Sequence, residues 1–312
     1  LFLVFSAFGC GCGQYEYMRK WGSFYRLSGV MGEGPVVEVV GKHEGGAHVQ
    51  IIRPSNCGNK ACYPFSELKD GAIEIEAREF DDMGGAVFGD LNVLSAPHEK
   101  ELVCSGVLVK VKGGVKVLTA AHCLDESRIR AWDEKEFPGW VVIFGRRAST
   151  DASEAGKVRV PKSDWTYVRS VYACEEGRDE DWALIDIDLP DGSRDVTPLE
   201  LSSREEIGAG EVGWLFAHPM GLPLIKALAV KFGGFRDHSW GYESLSSSGS
   251  SGGAVVIDGE VIGVHKGLSS GGGGRGLLRG GVKILTSGHY INDRVSSGEM
   301  PHVGCPGPEN GK

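Results

Sequence analysis

The sequence predicts an all-β protein of sandwich or barrel architecture. Three observations carry that prediction: glycine at 48 of 312 positions, a dozen short apolar runs set between turn residues, and few amphipathic helical patterns. The glycine content is about twice the ordinary usage of about 7% and has no collagen period. It therefore reads as tight turns and bulges.

Residues 1–12 open with LFLVFSAF and are read as the remnant of a signal peptide or lipoprotein signal, with Cys10 as the lipidated residue. A buried apolar strand is the alternative. Runs at 36–40, 48–52 and 72–77 follow, within a segment 13–87 read as an N-terminal extension with short strands. Further runs come at 102–111, 115–120, 139–144, 170–173 and 182–187, then 212–216, 227–232, 254–257 and 261–264. Turn residues such as Gly, Pro, Asn, Asp and Ser lie between many of these runs, as they do between strands. Residues 189–206 are polar and contain proline, so they read as a connector between two halves. TSGHYINDRV, from Thr286, reads as a helix with a hydroxyl cap, and 296–312 as a tail.

Composition narrows the function. With 41% hydrophobic and 24% charged residues the chain is neither disordered nor a helical membrane bundle. Lys+Arg 33 against Asp+Glu 42 gives a net charge of −9. That balance supplies no attraction for a phosphate backbone, so nucleic acid is excluded as a partner.

Three distant segments carry chemistry: VLTAAHC at 117–123, DEDWALID at 179–186 and GSSGGA at 249–254. Taken singly, each has a bland reading as a structural histidine, a surface carboxylate and a turn. A serine hydroxyl is a weak nucleophile at neutral pH, so an imidazole must take its proton and a carboxylate must orient that imidazole. In the order His…Asp…Ser the three segments resemble the chymotrypsin-like (trypsin-like) serine peptidases. The resemblance covers residues 88–295 and implies two packed antiparallel β-barrels, the first at about 88–192 and the second at about 205–285. It implies His122 as general base, Asp181 as orienting carboxylate and Ser251 as nucleophile, since G-x-S-G-G fits only with Ser251 third. Asp179 lies two residues off the motif position, and Asp186 follows the apolar run instead of preceding it.

The resemblance also makes the backbone N–H groups of Gly249 and Ser251 the oxyanion hole. It pairs Cys104 with Cys123, a bridge that requires an oxidising compartment and so a secreted or extracytoplasmic protein. Cys57–Cys62 and Cys174–Cys305 are further pairs to consider, with Cys174 as a buried free thiol the alternative. The reaction needs no cofactor and no metal, the substrates are proteins or peptides, and the chain is expected to be a monomer.

Two departures from trypsin matter. Ser250 stands directly before the nucleophile, where trypsin has the aspartate that receives a new N-terminus on activation, so that switch cannot operate in the same way. Leu245 stands six residues before Ser251, where trypsin has its specificity aspartate, so a basic P1 residue would lack a buried counter-charge. His265, fourteen residues after Ser251, and Ser246, five before it, instead resemble the pocket of peptidases that cut after Glu or Gln. His265 as a plain strand side chain beside the substrate is the alternative. The backbone of His265, Lys266 and Gly267 is expected to pair with substrate as an added strand. A catalytically weak or inactive protease-like binding domain is the rival function. His43 to His48 has spacing one residue too long for a zinc-protease helix and reads as a surface turn.

Overall fold

The computed structural model of the chain describes residues 2–5, 14–18, 24–28, 36–40, 46–53, 55–56, 61–62, 65–76, 102–124, 140–146, 157–176, 180–190, 196–208, 210–221, 223–236, 238–244, 246, 249–268 and 283–298. The first barrel is built from β1 (His48–Arg53), β2 (Leu102–Val111), β3 (Gly114–Thr119), β4 (Val141–Phe144), β5 (Trp165–Glu176) and β6 (Asp181–Ile187). The second is built from β7 (Gly213–Ala217), β8 (Ile225–Arg236), β9 (Ser239–Glu243), β10 (Ala254–Ile257), β11 (Glu260–Leu268) and β12 (Lys283–Ser287), followed by helix α1 (Gly288–Ser297).

Antiparallel pairing runs β3-β6-β5-β4-β1-β2 and closes from β2 back to β3. In the second barrel it runs β8-β7-β10-β11-β12-β9 and closes from β9 to β8. The fold is thus two closed six-stranded antiparallel barrels with one C-terminal helix, as the sequence predicts. Closure leaves neither barrel an open edge within its ring.

Period-two burial shows in β7, where Gly213, Leu215 and Ala217 are buried and Trp214 and Phe216 are half-buried. β1 departs from that pattern and is buried along its whole length, because both of its faces are covered. Val49 and Ile51 line the first barrel. His48 and Gln50 face the second barrel: the His48 ring stacks on Phe216 at 4.2 Å, and Gln50 Oε1 accepts from the Arg146 guanidinium at 2.8 Å. Arg146 also donates to the Gly221 carbonyl. Ile52 joins Trp165 and Ile73 in a separate apolar cluster. Over it lies a small sheet of Phe65–Glu67, Ile73–Glu76 and Lys157–Val160.

Several expectations are corrected here. The first barrel does not begin at about residue 88, because β1 sits between β2 and β4 and the barrel cannot close without it. Val36–Val39 likewise pairs with β8 of the second barrel, and Phe24–Ser28, Gln14–Met18 and Phe2–Phe5 extend that sheet outward. Cys10, the proposed lipid attachment point, lies outside the described residues. His48 is not in a surface turn; it is a buried barrel residue. The connector at 189–206 is stitched to both barrels, with Leu199–Glu200 parallel to β2 and Leu201 bridging Val261. Helix α1 starts after Ser287, whose hydroxyl makes no capping bond.

Burial holds His48 neutral, with its pKa lowered to about 3 by desolvation and then by the nearby His218. The unfolded chain therefore takes up a proton that the folded chain refuses once the pH drops below about 6.5. This contribution to stability is complete above that pH. It declines toward pH 3 by about 1.4 kcal/mol per unit. His48→Phe keeps a ring against Phe216 and should flatten the acid decline, read as urea midpoints between pH 7 and 4. An unchanged slope would assign the decline to other groups.

Candidate active site

β3 ends in a single 3-10 turn, Ala121–Leu124, which carries His122. Two contacts fix this turn from outside. Cys123 is disulfide-bonded to Cys104 on β2, and the Arg53 guanidinium at the end of β1 donates to the Cys123 carbonyl at 3.0 Å. A bridge of this kind stabilises a fold by roughly 2–4 kcal/mol.

Asp181 opens β6 and is buried, with its side chain 3% exposed against 38% for His122. Its carboxylate holds the histidine at two points. Oδ1 accepts from the His122 backbone N–H at 2.9 Å, and Oδ2 lies 2.6 Å from His122 Nδ1. A carboxylate can only accept, so Nδ1 carries the ring hydrogen and a neutral ring presents the Nε2 lone pair. Asp181 is itself pinned, its own N–H donating to Thr286 Oγ1 on β12 at 3.1 Å. Asp186 plays no part here; it pairs with Lys116 Nζ at 2.6 Å. Asp179 lies outside the described residues.

Ser251 sits half-buried in a tight turn between β9 and β10. Gly249 and Gly252 on either side have φ of 87° and 82°. The Ser251 carbonyl accepts from the Ser105 N–H of β2 at 2.8 Å, so the turn is bonded across to the first barrel. The Gly252 N–H donates to the His265 carbonyl at 2.9 Å, and the His265 N–H to the Gly253 carbonyl at 2.8 Å. Cys123 Sγ lies 3.8 Å from the Ser251 carbonyl oxygen, which brings the histidine turn and the serine turn together across the barrel interface.

His265 is buried on β11, and its Nδ1 lies 2.7 Å from the Tyr242 hydroxyl. Burial raises the Tyr242 phenol well above its ordinary value, so it stays protonated. Ser246 is buried just beyond β9. Lys266 Nζ reaches the Glu180 carbonyl at 3.4 Å, beside Asp181. Between His265 and Gly267 the register of β11 against β12 shifts by a bulge. Leu245 lies outside the described residues.

Cys174 is disulfide-bonded, which removes the free-thiol alternative. Cys57 and Cys305 lie outside the described residues, as does the Cys62 side chain. Sequence reasoning missed Ser105, Thr286, Tyr242 and Arg53 as partners of the site.

The sequence profile described as "Trypsin-like peptidase domain" matches residues 104–264. No curated protein matches the chain. Among solved structures the chain is similar to human heparin binding protein, at 14% identity and TM-score 0.50, over 84% of this chain and 94% of that one. A structure titled as that of GrC gives 14% identity and TM-score 0.48, over 84% and 97%. An inactivated protease paralogue of the scabies mite gives 14% and 0.47, over 84% and 98%. At this identity the likeness speaks to the fold alone.

Proposed function

Because the chain belongs to the trypsin-like peptidase domain family, we propose that it is a serine endopeptidase acting through an acyl-enzyme on Ser251. The observation that carries the reading is the two-point hold of Asp181 on His122, with the Ser251 turn bonded to the same barrel. His122 Nε2 takes the Ser251 hydroxyl proton as the oxygen attacks the scissile carbonyl. The backbone N–H groups of Gly249 and Ser251 receive the developing oxyanion. The imidazolium, facing Asp181, then gives its proton to the leaving amine. Water repeats the sequence on the acyl-enzyme and frees Ser251.

At P1 the reading is Glu or Gln. The buried, protonated Tyr242 hydroxyl donates to His265 Nδ1, which places the ring hydrogen on Nε2, and this imidazole together with the Ser246 hydroxyl is the proposed donor pair for a substrate carboxylate or amide oxygen. The substrate backbone adds as a strand to His265, Lys266 and Gly267. The Cys104–Cys123 bridge and the bonded state of Cys174 support a secreted or extracytoplasmic protein. The working unit is a monomer.

A fluorophosphonate followed by peptide mass spectrometry tests the chemistry: a single adduct is expected, on Ser251. Folded protein with no adduct there would overturn the peptidase reading and favour a non-catalytic binding domain. Profiling with a peptide library tests P1. Cleavage after Glu or Gln is expected, and His265→Ala should lower kcat/KM on those substrates about ten- to a hundred-fold. Strong cleavage after Arg or Leu, with none after Glu or Gln, would overturn the P1 assignment.

A further inference from the structure

Ser250 leaves the nucleophile turn without the carboxylate that anchors it in trypsin, yet the turn is bonded from another direction. Ser105, buried on β2 of the first barrel, reaches the carbonyls of Gly249 and Ser251, one on each side of the Ser250–Ser251 peptide. Its backbone N–H donates to the Ser251 carbonyl at 2.8 Å. Its hydroxyl donates to the Gly249 carbonyl at 2.8 Å. The same hydroxyl accepts from the His218 N–H, at the end of β7, at 2.8 Å. The Ser105 carbonyl accepts from Thr119 Oγ1 at 2.8 Å, which holds Ser105 itself in place.

The consequence follows from peptide planarity, since a peptide's C=O and N–H point to opposite sides. Ser105 fixes the planes of the 249–250 and 251–252 peptides. Between them the Ser250 carbonyl accepts from the Gly253 N–H at 2.9 Å and so points into the turn. The Ser251 N–H, on the other side of that middle plane, is thereby turned outward. That N–H is one of the two oxyanion donors in the proposed function, on which this inference rests.

We propose that Ser105 is a positioning residue that clamps the nucleophile turn, so that the Ser251 N–H donor of the oxyanion hole is aimed by a hydroxyl from the first barrel and not by a released N-terminus. The clamp spans the barrel interface, linking β2, the end of β7 and the nucleophile turn. Alignment of the hole then depends on how the two barrels are docked.

Ser105→Ala removes the hydroxyl and keeps the N–H bond to Ser251. The expected result is a fall in kcat of about ten- to a hundred-fold with KM unchanged, the size expected for small displacement of an oxyanion donor. Fluorophosphonate labelling and affinity for a peptide aldehyde should fall by the same factor, and amide exchange at 249–253 should quicken. Ser105→Thr, which restores the hydroxyl, should recover most of the rate. A Ser105→Ala protein with a lower melting temperature but unchanged kcat and labelling rate would overturn the clamp. Should that variant not fold, the near-isosteric Ser105→Cys takes its place: a partial loss of kcat supports the clamp and a wild-type kcat overturns it. Wild-type protein that fails to label at Ser251 would instead overturn the peptidase reading, while quickened exchange at 249–253 in the variant would still register the clamp.

Discussion

Asp181→Asn should lower kcat about 10⁴-fold, the loss that a wrong imidazole tautomer produces in a triad of this kind, with little change in KM. The geometry gives the reason. Asp181 offers one oxygen to the His122 backbone N–H at 2.9 Å and the other to Nδ1 at 2.6 Å. Asparagine has a single oxygen. If that oxygen keeps the backbone bond, the amide NH₂ faces Nδ1, and the ring must accept there and carry its hydrogen on Nε2. Nε2, the proposed acceptor of the Ser251 proton, then has no lone pair with which to take it. Asp186 does not substitute, because it is engaged with Lys116 and the Ser170 hydroxyl. Steady-state kinetics beside fluorophosphonate labelling check the effect. A variant within tenfold of wild type would show that the carboxylate at 181 does not set the tautomer.

The local signals in the chain account for most of its strands and for the three residues of the proposed triad. Leu102–Val111 and Ala254–Ile257 have the predicted bounds because their apolar runs end at turn residues. Ser239–Glu243 and Lys283–Ser287 escaped because five residues holding a glycine, or running straight into a helix, show no period. The destination of His48–Arg53 was also hidden. Its alternation marks a strand, but its polar positions face a second barrel and not solvent, and its partners lie about 50 and 90 residues further along. Ser105 and Thr286 were invisible for the same reason. A hydroxyl on a strand has no local signature when the groups it bonds lie 144 and 105 positions away. Thr286 even had a competing local reading near a helix cap, whereas in the structure it holds Asp181.

Gly252→Ala should abolish activity and lower stability by about 3–5 kcal/mol, the range of severe single substitutions. Two effects combine at this position. With φ at 82° an added Cβ costs roughly 1–2 kcal/mol from backbone strain alone. It would also stand 2.1 Å from the Ser105 carbonyl oxygen, 2.2 Å from Thr119 Oγ1 and 3.0 Å from the Ala120 N. Two of those atoms are backbone of the β2 and β3 region and cannot swing aside as a flexible side chain would. Relief requires the nucleophile turn to back away from the first barrel, which breaks the Ser105 bond to the Ser251 carbonyl and carries Ser251 away from His122. Gly259→Ala supplies the control, because its φ is 84° but no atom lies within 4 Å of the added Cβ. That variant should lose only the strain cost and keep its kcat. Denaturant midpoints and kcat for the pair separate collision from strain. Equal losses in both variants would mean that the barrels do not meet as closely at Gly252 as the geometry requires.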